Sequence, residues 1–308
     1  MKEREKIRRL LENIEKVIIG KRENIRLLVA GLIAGGHILI EDVPGVGKTM
    51  LALALAKSIN AKFKRIQFTP DLLPSDVTGG FIYNQKTQEF EFREGPVFTN
   101  ILLADEINRT TPRTQSALLE CMQEGKVSID GHIFSLPRLF MVIATQNPVE
   151  YQGTYPLAEA QIDRFLMKIN MGYVSCEDEE EILFSQKIKH PIETVEAVMD
   201  LEEILNLQNI ARNIEISPKV IKYIVRLVSS TRTIEEIKLG ASPRASIALM
   251  RVSCAWALLE NRDYVIPDDV IKLSYYVLRH RLIFQGYTER EADIDSIIKK
   301  LLERVPIP

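Results

Sequence analysis

The sequence predicts an α/β fold, in which a parallel sheet carries a phosphate-binding loop and a smaller helical domain follows. Three stretches predict it. The apolar run His37-Ile-Leu-Ile40 passes through Glu41-Asp-Val-Pro-Gly-Val-Gly-Lys-Thr-Met50 into an Ala/Leu-rich helix, the strand–loop–helix order of a phosphate cradle. A second apolar strand, beginning at Asn100, delivers Asp105 and Glu106 side by side at its end. Beyond Cys176 the strand patterns stop and capped helices take over.

In the loop, glycines let backbone N–H groups curl inward, and the helix N-terminus adds partial positive charge. Pro44, Gly45, Val46, Gly47, Lys48, Thr49 and Met50 form the candidate phosphate cradle. Lys48 is expected to reach the outer phosphates, and the Thr49 hydroxyl to ligate Mg²⁺. Asp42 stands where the general phosphate-loop pattern has its first glycine.

The chain has 308 residues, 46% of them hydrophobic, enough for two domains or one large one with a real core. Its net charge of −2 gives no global field toward nucleic acid or anionic membrane. The cysteines, Cys121, Cys176 and Cys254, are far apart and odd in number, which fits reduced thiols in cytosol rather than a disulfide or metal framework. The first residues are charged and lack a signal-peptide apolar region, and no apolar stretch is long enough to span a bilayer.

In chain order, residues 5 to 16 read as an amphipathic helix and residues 23 to 34 as a second. Between them, Val17-Ile18-Ile19-Gly20 makes an apolar corner that either packs on an adenine ring or fills the core. The helix after Thr49 is apolar all round and is expected to be buried. Phe63 to Phe68 alternates like a strand, and Thr69 to Gly80 is rich in capping and turn residues. Phe81 to Phe92 reads as a hairpin turning at Asn84 to Thr87, and Lys126 to Leu136 as another turning at Asp130-Gly131.

Ligands of open α/β sheets bind at the C-terminal strand edge. Adjacent strand residues point to opposite sides, so Asp105 is expected to hold the Mg²⁺ shell while Glu106 aims at an attacking water. A lone Asp-Glu at a strand end is commonly a solvated turn. Joined to Gly47-Lys48-Thr49, it points to phosphoryl chemistry. A helix opens at Thr110-Thr-Pro-Arg, and Leu139 to Thr145 is a buried strand ending in Gln146-Asn147-Pro148, where the Asn147 carboxamide can orient the lytic water. Leu157 to Phe165 reads as a helix, with Arg164 at its end, running into the strand Phe165 to Ile169. Helices are expected from Glu177 to Ile188 and from Ser217, Ser242 and Pro267 onward. The composition break sets domains at 1–186, including hairpins about 76–93 and 126–137, and 187–308.

With these stretches in place, the chain resembles MoxR-type AAA+ ATPases of the helix-2-insert clade over nearly its full length. The resemblance rests on Glu41 to Thr49, Gln67 to Asp76, Ala104-Asp-Glu-Ile-Asn-Arg109, Ala158 to Phe165 and Gly240-Ala-Ser-Pro-Arg-Ala245. It implies a three-layer αβα core with a small all-helical lid. It implies Lys48 and Thr49 as Walker A, Asp105 and Glu106 as Walker B, and Asn147 as first sensor. Arg164 matches a finger inserted by a neighbouring subunit, with Arg109 and Arg113 as rivals, and Arg244 matches the second sensor. ATP and Mg²⁺, a homo-oligomeric and usually hexameric ring, a protein client and a von Willebrand factor A domain partner follow as expectations, in the cytoplasm, with a membrane-associated partner compatible. The alternative is a nucleic-acid-stimulated motor or loader, which near-neutral charge and the hairpin acids Glu89 and Glu91 disfavour. No Asn-Lys-x-Asp guanine motif supports a GTPase.

Overall fold

The computed structural model describes residues 2–147, 153–187, 189–284 and 291–308. Two helices lead, α1 (Lys2–Glu15) and α2 (Arg22–Ile33), followed by β1 (Ile38–Glu41), α3 (Lys48–Ser58) and β2 (Phe63–Gln67). Next come the short α4 (Pro74–Thr78), the hairpin β3 (Gly79–Asn84) and β4 (Glu89–Glu94), then β5 (Ile101–Asp105) and α5 (Pro112–Glu124). A second hairpin, β6 (Lys126–Ile129) and β7 (His132–Ser135), precedes β8 (Met141–Gln146), α6 (Glu159–Ile162) and β9 (Met167–Ile169). The remainder is α7 (Cys176–Gln186), α8 (Leu201–Arg212), α9 (Pro218–Ser230), β10 (Ile237–Leu239), α10 (Pro243–Leu259), α11 (Pro267–Leu278), β11 (Ile283–Phe284) and α12 (Glu291–Arg304).

The central sheet has strand order β2-β5-β8-β1-β9, and all its pairings are parallel. Strand alternation sorts its side chains into two apolar layers. Ile38, Ile40, Ile101, Leu103 and Ile143 face the layer built with α1, α2 and α3. Leu39, Leu102, Ala104, Val142 and Ala144 face the other, with Leu118 and Leu119 of α5. This is the expected three-layer core. The first layer continues without a break into the later helices through Leu207, Leu249, Trp256, Leu273 and Ile298. Polar contacts fasten the same junction: Arg26 of α2 lies over the Trp256 ring and pairs with Glu260, and Lys272 covers the ring from α11.

The helical region departs from expectation in one respect. It is not wholly helical, because β10 and β11 form a short antiparallel pair, with Ile237 opposite Phe284. Neither strand is long enough to show alternation, and two helices separate them in sequence. The turn-rich stretch after Phe68 contains a helix, α4, and the helix expected over 157–165 is reduced to the single turn α6. Both hairpins form at the expected turns, and stacking of Phe92 on Phe134, with ring centroids 3.9 Å apart, ties one to the other. The buried Cys121 and Cys254 are core residues, while Cys176 is exposed. Pro148 of the strand-end turn and Ile188, the expected end of α7, lie outside the described residues. Among the described residues no helix is long and apolar enough to cross a membrane.

Candidate active site

The loop between β1 and α3 lies at the C-terminal edge of the sheet. Gly45 and Gly47 have φ of 87° and 91°, a left-handed backbone that favours glycine, and an added Cβ at either would meet nothing within 4 Å. The cradle is therefore open. Pro44 and Gly45 are exposed, Val46 is half-buried, and Gly47 immediately precedes α3, whose first three residues are Lys48, Thr49 and Met50. Lys48 Nζ donates to the Asp42 and Val43 carbonyls at 2.8 and 3.3 Å, so the ammonium is held inside the loop. Partial burial pushes its pKa down, opposed by Asp42, Asp105 and Glu106.

Asp42, the departure from the general loop pattern, has a structural use. Its carboxylate accepts from the Val43 N–H at 2.8 Å and the Gly172 N–H at 2.5 Å. A glycine there could not tie the loop to the chain beyond β9.

The acidic pair sits beside the loop because β1 and β5 both flank β8. Asp105 ends β5, and Glu106 turns left-handed with φ 56°. This backbone turn separates the two carboxylates. Thr145 of β8 joins them, donating to Asp105 Oδ1 at 2.6 Å and accepting from the Glu106 N–H at 2.8 Å. On β2, Arg65 donates to Asp105 Oδ2 at 2.6 Å and Gln67 Nε2 to Glu106 Oε2 at 2.6 Å. Arg109 Nη1 reaches the same Glu106 oxygen at 3.0 Å. Arg65, Gln67 and Thr145 were not expected from the sequence. The parallel register that places Gln67 opposite Asp105 brings β2 to the acids, and only pairing reveals it. Asn147 is buried and follows β8 directly, at the edge shared by the loop and the acids. Thr49 and Asp105 supply hard oxygen donors near Lys48, a set that fits Mg²⁺.

The candidate arginines stand elsewhere. Arg164 and Arg244 line one cavity of about 400 Å³ together with Gly35, Gly36, His37 and Leu166. These last residues immediately precede β1 and β9, so the cavity lies at the N-terminal edge of the sheet. At about 3.3 Å per residue, β1 separates the two edges by more than an arginine side chain spans. Neither guanidinium can therefore reach its own phosphate loop. Of the rival arginines, Arg109 is engaged with its own Glu106, and Arg113 is exposed near the start of α5.

A buried ion pair fixes the cavity. Arg281 Nε donates to Asp163 Oδ1 at 2.7 Å, and its other nitrogens reach the carbonyls of Asp163, Phe165, Leu166 and Val277. Ser242 donates to Asp163 Oδ2 at 2.9 Å and accepts from the Arg244 N–H at 3.1 Å, capping α10. One carboxylate thus joins the chain at Arg164 to the helix carrying Arg244. Burial pushes Arg281's pKa down, Asp163 opposes that shift, and Arg244 adds repulsion.

His37, at the cavity wall, accepts from the Val142 N–H at 2.9 Å, and its Nε2 lies 3.0 Å from the Met122 carbonyl. Burial lowers its pKa to about 4. The unfolded chain protonates it near 6.5, so between these values the unfolded state binds more protons. Its contribution to stability is present above about pH 6.5 and falls by about 3 kcal/mol as pH drops to about 4. Urea midpoints at pH 7 and 5 should show a smaller acid loss in His37→Asn than in the unsubstituted chain.

In the expected adenine corner, Ile18 is buried in the core, which leaves half-buried Ile19 and exposed Gly20 beside Asp178 of α7. Among the described residues no group of three or more His, Cys, Asp and Glu side chains forms a metal cluster.

Comparison with known proteins agrees with this architecture. Residues 37–167 match the ATPase family associated with various cellular activities (AAA), and residues 229–301 match the AAA lid domain. The chain is 54% identical to the uncharacterized protein YeaC of Bacillus subtilis, over 97% of this chain and 93% of that one. It is 42% identical to chaperone MoxR1 of Mycobacterium tuberculosis, over 98% of this chain and 82% of that one, and 30% identical to protein MoxR of Methylorubrum extorquens, over 97% and 94%. A crystal structure from Cytophaga hutchinsonii superposes with a TM-score of 0.91 at 43% identity, covering 100% of this chain and 96% of that one. An open phosphate cradle, an acidic strand end, a helical lid and full-length likeness to MoxR proteins lead to one conclusion: the chain belongs to the MoxR family of AAA+ ATPases.

Proposed function

We propose that this ATPase works as a ring of identical copies, hexameric as is usual in the family, and spends ATP to remodel or mature protein clients. The placement of Arg164 and Arg244 at the sheet edge opposite Lys48, Asp105 and Glu106 carries this reading. A site whose two charge clusters lie on opposite edges of one protomer is completed by a head-to-tail neighbour. Likeness to a chaperone supports the client role. A von Willebrand factor A domain protein, in the cytoplasm or at a membrane, is the proposed partner. The helix and hairpin α4–β3–β4, inserted between β2 and β5, support membership of the helix-2-insert clade. We also place the domain boundary near residue 186.

Phosphoryl transfer needs positioning and charge neutralisation more than covalent chemistry. Lys48 and the loop N–H groups hold the phosphates, while Thr49 and Asp105 hold Mg²⁺. When bound, the ion neutralises charge on the outer phosphates. Lys48 exchanges the Asp42 and Val43 carbonyls for the phosphates. Glu106 takes the proton from the attacking water, and Asn147 orients that water. Arg164 and Arg244 of the adjoining copy meet the charge that develops on the transferred group. Because Asp163 joins the chain at Arg164 to Ser242, which caps the helix carrying Arg244, lid and finger move together.

Gln67 restrains Glu106 with one hydrogen bond. Its loss is worth roughly 2- to 10-fold in rate, so Gln67→Ala should raise basal turnover by that factor without changing nucleotide affinity. Steady-state ATPase assays and titration with a fluorescent ATP analogue check both.

A native-lysate pull-down with tagged Glu106→Gln in ATP, against Lys48→Ala, tests the remodelling role. A protein held only by the ATP-locked variant supports it. Enrichment of nucleic acid, with ATPase activity stimulated by DNA, would transfer the reading to a motor or loader.

A further inference from the structure

The cavity at the N-terminal sheet edge contains an arginine that neither the phosphate loop nor the motif match explains. Arg251 lies on α10 seven residues beyond Arg244, two turns along the same face. Ile247 and Ala248 lie between them and line the same cavity. Among the described residues, four guanidinium groups line this space, those of Arg164, Arg244, Arg251 and Arg281, against the single carboxylate of Asp163.

That carboxylate is already engaged. Oδ1 accepts from Arg281 and Oδ2 from Ser242. Among the described residues, the side chains of Arg164, Arg244 and Arg251 have no hydrogen-bond or ion-pair partner, and Arg164 Nε is buried without an acceptor. Six arginines elsewhere, Arg8, Arg26, Arg65, Arg109, Arg262 and Arg279, each have a carboxylate. His37 adds no charge at neutral pH, since burial keeps its imidazole neutral. The cavity thus holds an excess of three positive charges, gathered on a wall braced by Asp163. Charge assembled this way suits a compact polyanion, and a nucleotide triphosphate is the polyanion this protein handles.

We propose that Arg251 is a third guanidinium of the composite site, contacting the triphosphate of the nucleotide held by the adjoining copy. The assignment rests on the reading of a site shared between copies. Arg244 and Arg251 occupy one helix face, so they approach a bound triphosphate together when the lid of one copy meets the phosphate edge of the next. Arginine suits this role because its planar fork presents paired donors to phosphate oxygens.

The test uses full-length Arg251→Gln and Arg251→Lys, with assembly followed by light scattering. Arg251→Gln is expected to assemble and to lose turnover by roughly 10- to 100-fold, the worth of one charge-assisted contact, with Arg251→Lys recovering part of the loss. Nucleotide affinity of dilute, dissociated protomers should not change. Mixing Arg251→Gln with Lys48→Ala protomers should restore turnover, because the latter supply an intact Arg251 to an intact phosphate edge. Arg164→Ala mixed with the same donor is the reference. Rescue of Arg164→Ala but not of Arg251→Gln overturns the role of Arg251 and leaves the shared site standing. If neither mixture recovers although mixed assemblies form, the shared site falls and Arg251 with it. Unchanged turnover in Arg251→Gln, or loss of assembly in both Arg251 variants, also overturns the proposal.

Discussion

Arg164→Ala is expected to bind ATP with unchanged affinity and to lose nearly all turnover, by about 10³- to 10⁵-fold, the range for a finger supplied by a neighbouring molecule in other NTPases. The expectation is large because Lys48 stands opposite Asp105 and Glu106 at the phosphate edge, and Arg65 and Arg109 are already paired with those acids. Charge developing on the transferred group therefore needs cations from outside the protomer. Affinity is spared because Arg164 lies across the sheet from its own loop. A fluorescent ATP analogue measures the binding and a coupled assay the turnover. Retained turnover would move the finger to Arg113 or Arg109, and weakened binding in isolated protomers would mean that Arg164 touches its own nucleotide.

Arg281→Met is expected to destabilise the fold by about 3–5 kcal/mol, the cost of removing one partner from a buried ion pair. The substitution keeps much of the side-chain bulk but leaves the Asp163 carboxylate without its cation. It also removes the guanidinium from the Leu166 and Val277 carbonyls, and from the Phe165 carbonyl, which keeps His280 Nε2 at 3.2 Å. Arg281→Lys should recover little, since an ammonium cannot reproduce the planar fork that meets four carbonyls and a carboxylate. Denaturant midpoints report the loss. A change below about 1 kcal/mol would show that water replaces these bonds and that the lid is not braced through Asp163.

The residues that bear local signals were legible in the sequence. Glycine and proline punctuation marked the phosphate loop, apolar strands placed Asp105, Glu106 and Asn147 at one sheet edge, and Asp130-Gly131 marked a hairpin. Ser217 and Ser242 cap their helices as expected. Contacts made by pairing were not legible. Gln67 and Arg65 meet the acids only through the β2–β5 register, and Asp42 acquires a purpose only when Gly172 arrives from beyond β9. The Ile237–Phe284 pairing joins segments too short for periodicity. The opposite-edge placement of Arg164 has a signal in the sequence. In a parallel sheet, a residue immediately before a strand lies at the edge away from the ligand, and Arg164 precedes β9. Arg244 follows Arg164 to that edge because Ser242 shares Asp163 with Arg281.

The most direct measurement mixes two inactive proteins, Arg164→Ala and Glu106→Gln, and follows ATP hydrolysis against mixing ratio. Each alone lacks one half of every site. In mixed rings, roughly a quarter of the interfaces at equal proportions join an intact phosphate edge to an intact arginine face. Activity should appear on mixing and peak near equal proportions. Mixed assemblies that form yet remain inactive at every ratio would contradict a site shared between copies.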